Sequence, residues 1–178
     1  MGASKGLSRT SRILAGIAIF GAVIWPALVL AEFLTPDAMR ANGFTSDIEA
    51  LQLLSSAVPL NDRLLALACY AVPTAMAVWG LVSLARLFRS FAGRDVFSGA
   101  TLTALHRIAI ALALNVLTSF VAQIPISHFL TRDYPGHHGA LGFGIADFVL
   151  LFVAGATYVM ARIMAEAKRV AEENASIV

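Results

Sequence analysis

Four long apolar stretches, separated by polar segments, dominate the chain. They cover residues 13–34, 64–84, 108–124 and 145–164, and no lysine or arginine lies in the interior of any of them. About 20 residues at 1.5 Å each are enough to cross a hydrocarbon layer of about 30 Å. The pattern therefore predicts an all-α polytopic membrane protein, a four-transmembrane-helix bundle that forms a single domain over residues 1–178.

Prolines fall within or beside three of these stretches. Pro26 and Pro73 lie inside the first and second, where a membrane helix tolerates proline because neighbouring groups satisfy the freed carbonyl. We predict kinks there and no breaks. The third stretch is the shortest, and we expect its helix to stop at Pro125.

The basic residues are distributed unevenly between the two sides of the predicted bundle. Ten of the 13 lysines and arginines lie before the first span, between the second and third, or near and after the end of the fourth. These are Lys5, Arg9, Arg12, Arg86, Arg89, Arg94, Arg107, Arg162, Lys168 and Arg169. By the positive-inside rule, both termini and the middle connection are cytoplasmic.

The first span also resembles a secretory signal peptide that ends near Ala31. Its apolar run from Ile13 to Ala31 has 19 residues, which is longer than the about 7–15 residues of a signal-peptide core. We expect the span to be retained. Cleavage would leave three spans in the same orientation.

The first outer connection predicts a helix of its own. Ser46 and Glu49 stand at the spacing of a capping box, and Pro59 ends the segment. Across this segment, apolar residues recur at helical spacing, namely Phe44, Ile48, Leu51, Leu54 and Val58. This favours a short amphipathic helix on the outer leaflet or across the bundle; a lid over a ligand site is the alternative.

The second outer connection carries His128, His137 and His138 near Asp133, a set that could bind a transition metal. The adjacent pair lies in a Pro-Gly-His-His-Gly segment without helical spacing, so we expect solvated histidines and no metal site. A bis-histidine haem needs facing histidines on a second span, and no other span has one. We therefore expect no cofactor.

Four polar residues lie within the predicted spans: Glu32, Asn115, Gln123 and Asp147. Glu32 and Asp147 fall near the outer ends of their helices, where they can reach the lipid headgroups. Asn115 and Gln123 are two turns apart and can form hydrogen bonds between helices. Hydrogen bonding and packing within the bundle can explain all four residues. The alternative is that they form a small polar cavity or an ion path through the bundle.

Composition narrows the class of protein further. Hydrophobic residues make up 58% and charged residues 13%, and the mean hydropathy is +0.78, values that exclude a soluble enzyme. The net charge of +2 and the single cysteine, Cys69, argue against direct nucleic-acid binding and exclude an intramolecular disulfide. Small residues at four-residue spacing allow close helix packing within the chain or in a homo-oligomer.

The most strongly patterned segment is the connection between the second and third spans, residues 85–107, which we call the elbow. Helix two is predicted to continue into it, to end at Gly93, and to be followed by a new helix capped by Ser98. Aromatic and basic residues alternate there in a pattern typical of membrane-surface or partner docking. The candidate docking residues are Arg86, Phe88, Arg89, Phe91, Arg94 and Phe97.

The elbow resembles the bacterial membrane family catalogued as domain of unknown function 2975. The matching residues are Leu87, Phe88, Phe91, Gly93, Phe97, Ser98, Leu105, His106, Arg107 and Ile108. The C-terminal tail, residues 165–178, is similar to the family's charged ending but differs from its pattern at Ala167, Val170 and Ile177. The resemblance implies no enzymatic residues. It does imply an association with a small helix-turn-helix repressor, because such a repressor is often encoded beside family members.

These observations predict a non-enzymatic membrane protein that regulates or assists a cytoplasmic partner, such as a helix-turn-helix regulator. The elbow and the tail would bind that partner. A small transporter, channel or immunity protein with a polar path through the bundle is the alternative. An enzyme ranks last, since no nucleophile has an evident base.

Overall fold

The structure is a computed structural model that describes residues 3–35, 58–93, 98–131 and 142–175. Four long helices account for nearly all of these residues. They are α1 (Ala3–Leu34), α2 (Leu60–Ala92), α3 (Gly99–Thr131) and α4 (Ile145–Ala175). Each contains a stretch long and apolar enough to cross a membrane, as the hydropathy pattern predicts. The protein is therefore an all-α, multi-pass membrane protein.

Each helix packs mainly against its neighbours along the chain. α1 contacts α2, α2 contacts α3, and α3 contacts α4. Within the described ranges, every other pair of helices is in marginal contact at most. Consecutive helices run antiparallel, so α1 begins, α2 ends, α3 begins and α4 ends on one side of the bundle. We call this the terminal side and the other the distal side.

Small side chains bring the first three helices close together. Ala15, Ala18 and Ala22 are buried where α1 meets α2. Between α2 and α3, a Cβ atom added at Gly80 would stand 3.3 Å from the Cβ of Ala111. Close approach of backbones through small residues is the usual way to pack helices in lipid. The alanines of α1 thus serve contacts within the chain.

Large apolar side chains point outward along all four helices, as expected for surfaces covered by lipid. The extreme cases lie on α4, where Ile145 is 87% exposed and Phe152 is 71% exposed. The buried residues of α4 are small and seven residues apart, Ala154 and Ala161. This spacing places them on one stripe of the helix, which faces α3.

Prolines do not end any of these helices. α1 and α2 continue through Pro26 and Pro73 as predicted. The prediction that the third helix stops at Pro125 is wrong, since α3 continues to Thr131. A proline removes one helical hydrogen bond, and membrane helices tolerate that loss because side chains can satisfy freed carbonyls. The carbonyl that Pro125 frees is that of Val121, four residues earlier; one turn on, the Ser127 hydroxyl donates to the Ile124 carbonyl at 2.9 Å.

The helices extend well beyond the predicted spans on the terminal side. α2 reaches Ala92 and α4 reaches Ala175, so both leave the apolar layer as continuous helix. The predicted short amphipathic helix lies almost entirely outside the described residues. Its last apolar position, Val58, is described and buried against α1 and α2 in the cluster that includes Val29, Phe33 and Ala66.

Candidate functional site

The terminal side carries the elbow, and its core is apolar. Leu87 of α2 is buried against Ala104 and Ile108 of α3, and Leu84, Phe91, Leu105 and Leu112 surround them. Phe91 therefore contributes to packing inside the elbow. Of the candidate docking aromatics in the described residues, it is the one with a clear structural role.

Local capping fixes the two helix ends that form the elbow. The Gly93 N–H donates to the carbonyls of Arg89 and Ser90, both at 3.1 Å. The Ser98 hydroxyl accepts the backbone N–H of Thr101 at 3.3 Å and also hydrogen-bonds with the Thr101 hydroxyl at 3.1 Å. Thr101 is fully buried. The predicted helix end at Gly93 and the Ser98 cap are thus confirmed.

The charged candidates of the elbow that the structure describes lie on its surface. Arg86 and Arg89 are exposed, and Phe88 between them is half-buried. Neither guanidinium forms an ion pair with a described residue. Arg94 and Phe97 fall outside the described residues. The structure therefore leaves two arginines and one aromatic ring available at the described part of this surface.

The tail adds a charged helix to the same side. Glu166 and Arg169 form an ion pair three residues apart, and Lys168 pairs with Glu172 at 3.6 Å. Arg169 also lies 3.9 Å from Glu173. The described tail residues 165–175 extend about 16 Å past the predicted span at 1.5 Å per residue. Pairs at these spacings stabilise an exposed helix that no other described helix covers.

Asn115 and Gln123 hold the bundle together. The Asn115 amide donates to the Pro73 carbonyl of α2 at 2.9 Å. Gln123 forms two hydrogen bonds with the backbone of Gly142, donating to its carbonyl at 3.0 Å and accepting its N–H at 2.8 Å. Both amides are therefore used in packing between described segments.

The two carboxylates of the distal side differ in environment. Asp147 accepts the backbone N–H of Gly144 at 3.0 Å and so caps the start of α4. Glu32 is only 7% exposed, and its Oε1 has no hydrogen-bond partner among the described residues. The protein itself thus buries this side chain, and its contact with the headgroup layer stays a prediction. An unpartnered carboxylate oxygen inside a membrane protein is costly and marks a functional candidate.

Sequence analysis did not single out Arg63 as a site residue. It lies in the first turn of α2 and is 8% exposed, so a second charged side chain is buried on the distal side. In the sequence it stands in a polar connection, and no local pattern distinguishes it from a surface arginine. Its burial follows from tertiary packing.

The described histidines contact aromatic rings. His106 lies 5.4 Å from the ring of Tyr158, and His128 lies 5.8 Å from the ring of Phe129. In the part of the chain that the structure describes, no group of three or more histidine, cysteine or acidic residues could hold a metal. His137 and His138 fall outside it.

Comparison with known proteins places the chain in a family. It matches the family described as protein of unknown function DUF2975 over residues 18–178, which is nearly the whole chain. The chain belongs to the DUF2975 family. The resemblance drawn from the elbow and the tail is thereby confirmed, and both segments lie within the matched region of this DUF2975 protein. No curated protein and no solved structure matches the chain significantly.

Proposed function

We propose that this DUF2975 protein is a non-enzymatic regulatory or accessory protein that binds a cytoplasmic protein with its elbow and tail. One observation carries the proposal. On the terminal side, Arg86 and Arg89 are exposed without ion pairs to described residues, and α4 extends beyond the apolar layer as a charged helix. On the terminal side, these described polar residues project beyond the apolar part of the bundle.

The distribution of basic residues supports a cytoplasmic location for this surface. Ten of the 13 lysines and arginines belong to the terminal side, and the positive-inside rule assigns such a side to the cytoplasm. The resemblance to a bacterial membrane family implies the bacterial inner membrane as the compartment. Both chain ends then face the cytoplasm together with the elbow.

The chemistry of the surface fits a protein partner. Arg86 and Arg89, which pair with no described acidic residue, supply positive charge that steers an acidic partner toward the membrane, while Phe88 supplies a partly exposed ring for contact. The tail supplies a self-stabilised helix whose charges alternate. A helix of this kind docks on partners through one face. The family resemblance makes a helix-turn-helix regulator the first partner to test, with DNA bound by the regulator and not by this chain.

Co-purification tests the proposal. The tagged protein is isolated from membranes in mild detergent, and bound cytoplasmic proteins are identified by mass spectrometry. Charge reversal at Arg86 and Arg89 together, or truncation after Arg162, should abolish recovery of the partner. Truncation retains Ala154 and Ala161, the buried residues that hold α4 on α3, so the variant keeps its packing.

One control and one further charge variant separate partner binding from misfolding. Charge reversal at Arg12, an exposed arginine of α1 on the same side, should leave the partner bound. Exchanging Lys168 and Glu172 keeps the intrahelical pair but alters the charge pattern, so it should weaken partner binding at normal helicity. If the partner stays bound to both the Arg86/Arg89 variant and the truncated protein, or if wild-type protein never recovers one, the proposal is wrong.

Glu32 favours a second candidate function, a small transporter, channel or immunity protein. Its buried carboxylate oxygen, which has no hydrogen-bond partner among the described residues, is the observation that supports it. Flux of protons and monovalent cations into proteoliposomes tests this candidate. Glu32→Gln should abolish flux, whereas Asp147→Asn, which alters a helix cap, should retain it. If the wild-type protein carries no flux, this second candidate function is wrong.

A further inference from the structure

An apolar groove runs along the membrane face between α1 and α2. Its volume is about 700 Å³, and α2 forms most of its wall from Leu64 to Val82. α1 contributes Pro26, Val29 and Leu30. Two of the lining side chains carry polar groups, Thr74 and Trp79. The Thr74 hydroxyl already donates to the Tyr70 carbonyl at 2.8 Å, and Trp79 has a single indole N–H, so the groove is almost entirely apolar.

Small side chains create the groove. Ala68, Ala71 and Ala75 form its floor, and all three are exposed. Larger side chains, Val78, Trp79 and Val82, continue the wall toward the terminal side. The alanines of α1 pack inside the chain, whereas these alanines of α2 are exposed in the groove.

The groove leads to positive charge at one end. Arg86 and Arg89 follow Val82 by four and seven residues, the spacings that place side chains on one helix face. Both are exposed, and neither pairs with a described acidic residue. In the tail, by contrast, glutamates neutralise Lys168 and Arg169. The wall of the groove thus continues into two guanidinium groups that no described acidic residue pairs with.

We propose that the groove binds an anionic phospholipid from the leaflet on the terminal side. Its phosphate contacts Arg86 and Arg89, and one acyl chain lies along Val82, Trp79 and Ala75. Half of a hydrocarbon layer, about 15 Å, corresponds to about ten helical residues. From Val82 that length reaches past Ala75, so a chain of one leaflet fills the terminal half of the groove.

A second copy of the chain fits the groove less well. Two copies with the same orientation in the membrane would be related by a twofold axis along the membrane normal, which places the same patch of both copies at the same depth. The Arg86 and Arg89 side chains of the two copies would then gather at one level of the interface, where like charges repel. An anionic headgroup neutralises the same arginines, so charge favours the lipid.

Native mass spectrometry of the purified full chain tests the proposal. The protein is released from bilayers that contain phosphatidylglycerol and phosphatidylcholine with matched acyl chains, and retained lipids are counted. Wild-type protein should retain phosphatidylglycerol preferentially. The Arg86→Gln/Arg89→Gln double variant should lower that retention by about tenfold or more, and Ala75→Phe, which fills the groove, should lower it severalfold.

Matched controls distinguish this site from general attraction to lipid. Arg107→Gln removes an exposed arginine of the same side, and Val121→Phe adds a ring at an exposed position of α3. Both controls should retain the lipid as the wild type does. Circular dichroism confirms that every variant folds.

Several results would overturn the proposal. These are equal retention of the two lipids, an equal loss in the Arg107 and Arg86/Arg89 variants, no loss in Ala75→Phe, or a dimer whose formation Ala75→Phe prevents. The inference goes beyond the proposed function, and the experiment contains no protein partner. Its outcome is therefore independent of whether a cytoplasmic partner exists.

Discussion

Replacing Gln123 by leucine should loosen α4 from the rest of the bundle. Within the described residues, α4 packs substantially only on α3, and its buried side chains are small. Gln123 ties the segment before α4 to α3 by two hydrogen bonds to one residue, Gly142. Leucine has a similar size, so Gln123→Leu removes both bonds without opening a large cavity.

The expected decrease in the free energy of unfolding follows from the number of hydrogen bonds removed. Side-chain hydrogen bonds in a membrane protein contribute about 0.6 kcal/mol each on average, with a maximum near about 1.7 kcal/mol. Two bonds therefore correspond to about 1–3 kcal/mol. The loss should be concentrated at the distal end of α4, because the Ala154 and Ala161 contacts lie farther along the helix.

Two measurements check this prediction. The free energy of unfolding in mixed micelles should fall by the stated amount in Gln123→Leu. The backbone amides of Asp147 and Phe148, which bond to the Gly144 carbonyl, should exchange with deuterium faster, while amides near Ala161 should not change. Val121→Leu, an exposed position on the same helix, is the control and should have little effect. Equal stability of the two variants, or uniform acceleration of exchange along α4, would refute the reasoning.

Three further predictions concern topology, metal binding and the elbow. In a Cys69→Ser background, cysteines placed at Asn61 and Phe143 should react with a membrane-impermeant reagent from outside intact cells, and one at Glu172 only after permeabilisation; the reverse pattern would invert the topology. Replacing His128, His137 and His138 together should leave bound metal and thermal stability unchanged, and loss of stoichiometric zinc in the triple variant would contradict this. Ser98→Ala removes the cap of α3 and should lower the free energy of unfolding by about 1 kcal/mol, with Thr103→Ala, an exposed residue in the same helix, as the control; equal losses would argue against a specific cap.

Local signals in the sequence predict the helices and several of their ends. Long apolar runs without interior lysine or arginine identify the spans, and Gly93 and Ser98 mark the turn between α2 and α3 because their roles depend on nearby backbone. The prediction that the third helix ends at Pro125 fails for a physical reason. In water a proline inside a helix usually ends it, whereas in lipid the alternative of exposed backbone costs more than one lost hydrogen bond.

The arrangement of the helices and the partners of the polar residues could not be predicted in the same way. Asn115 meets a carbonyl 42 residues away, at Pro73, and no periodicity encodes that pair. Glu32 resembles a residue at a helix end that reaches the headgroups, but tertiary packing buries it. The same holds for Ala71 and Ala75, which share the small-residue spacing of Ala18 and Ala22 yet face a groove.

Photocrosslinking in living cells tests most directly whether the elbow and the tail bind a cytoplasmic protein. A photoreactive phenylalanine analogue replaces Arg89 in one variant, Glu172 in a second, and Asn61 on the distal side in a third. The account predicts that the first two positions crosslink to the same cytoplasmic protein, identified by mass spectrometry, and that position 61 does not. Crosslinks from positions 89 and 172 to lipid alone, or a partner captured only from position 61, would contradict it.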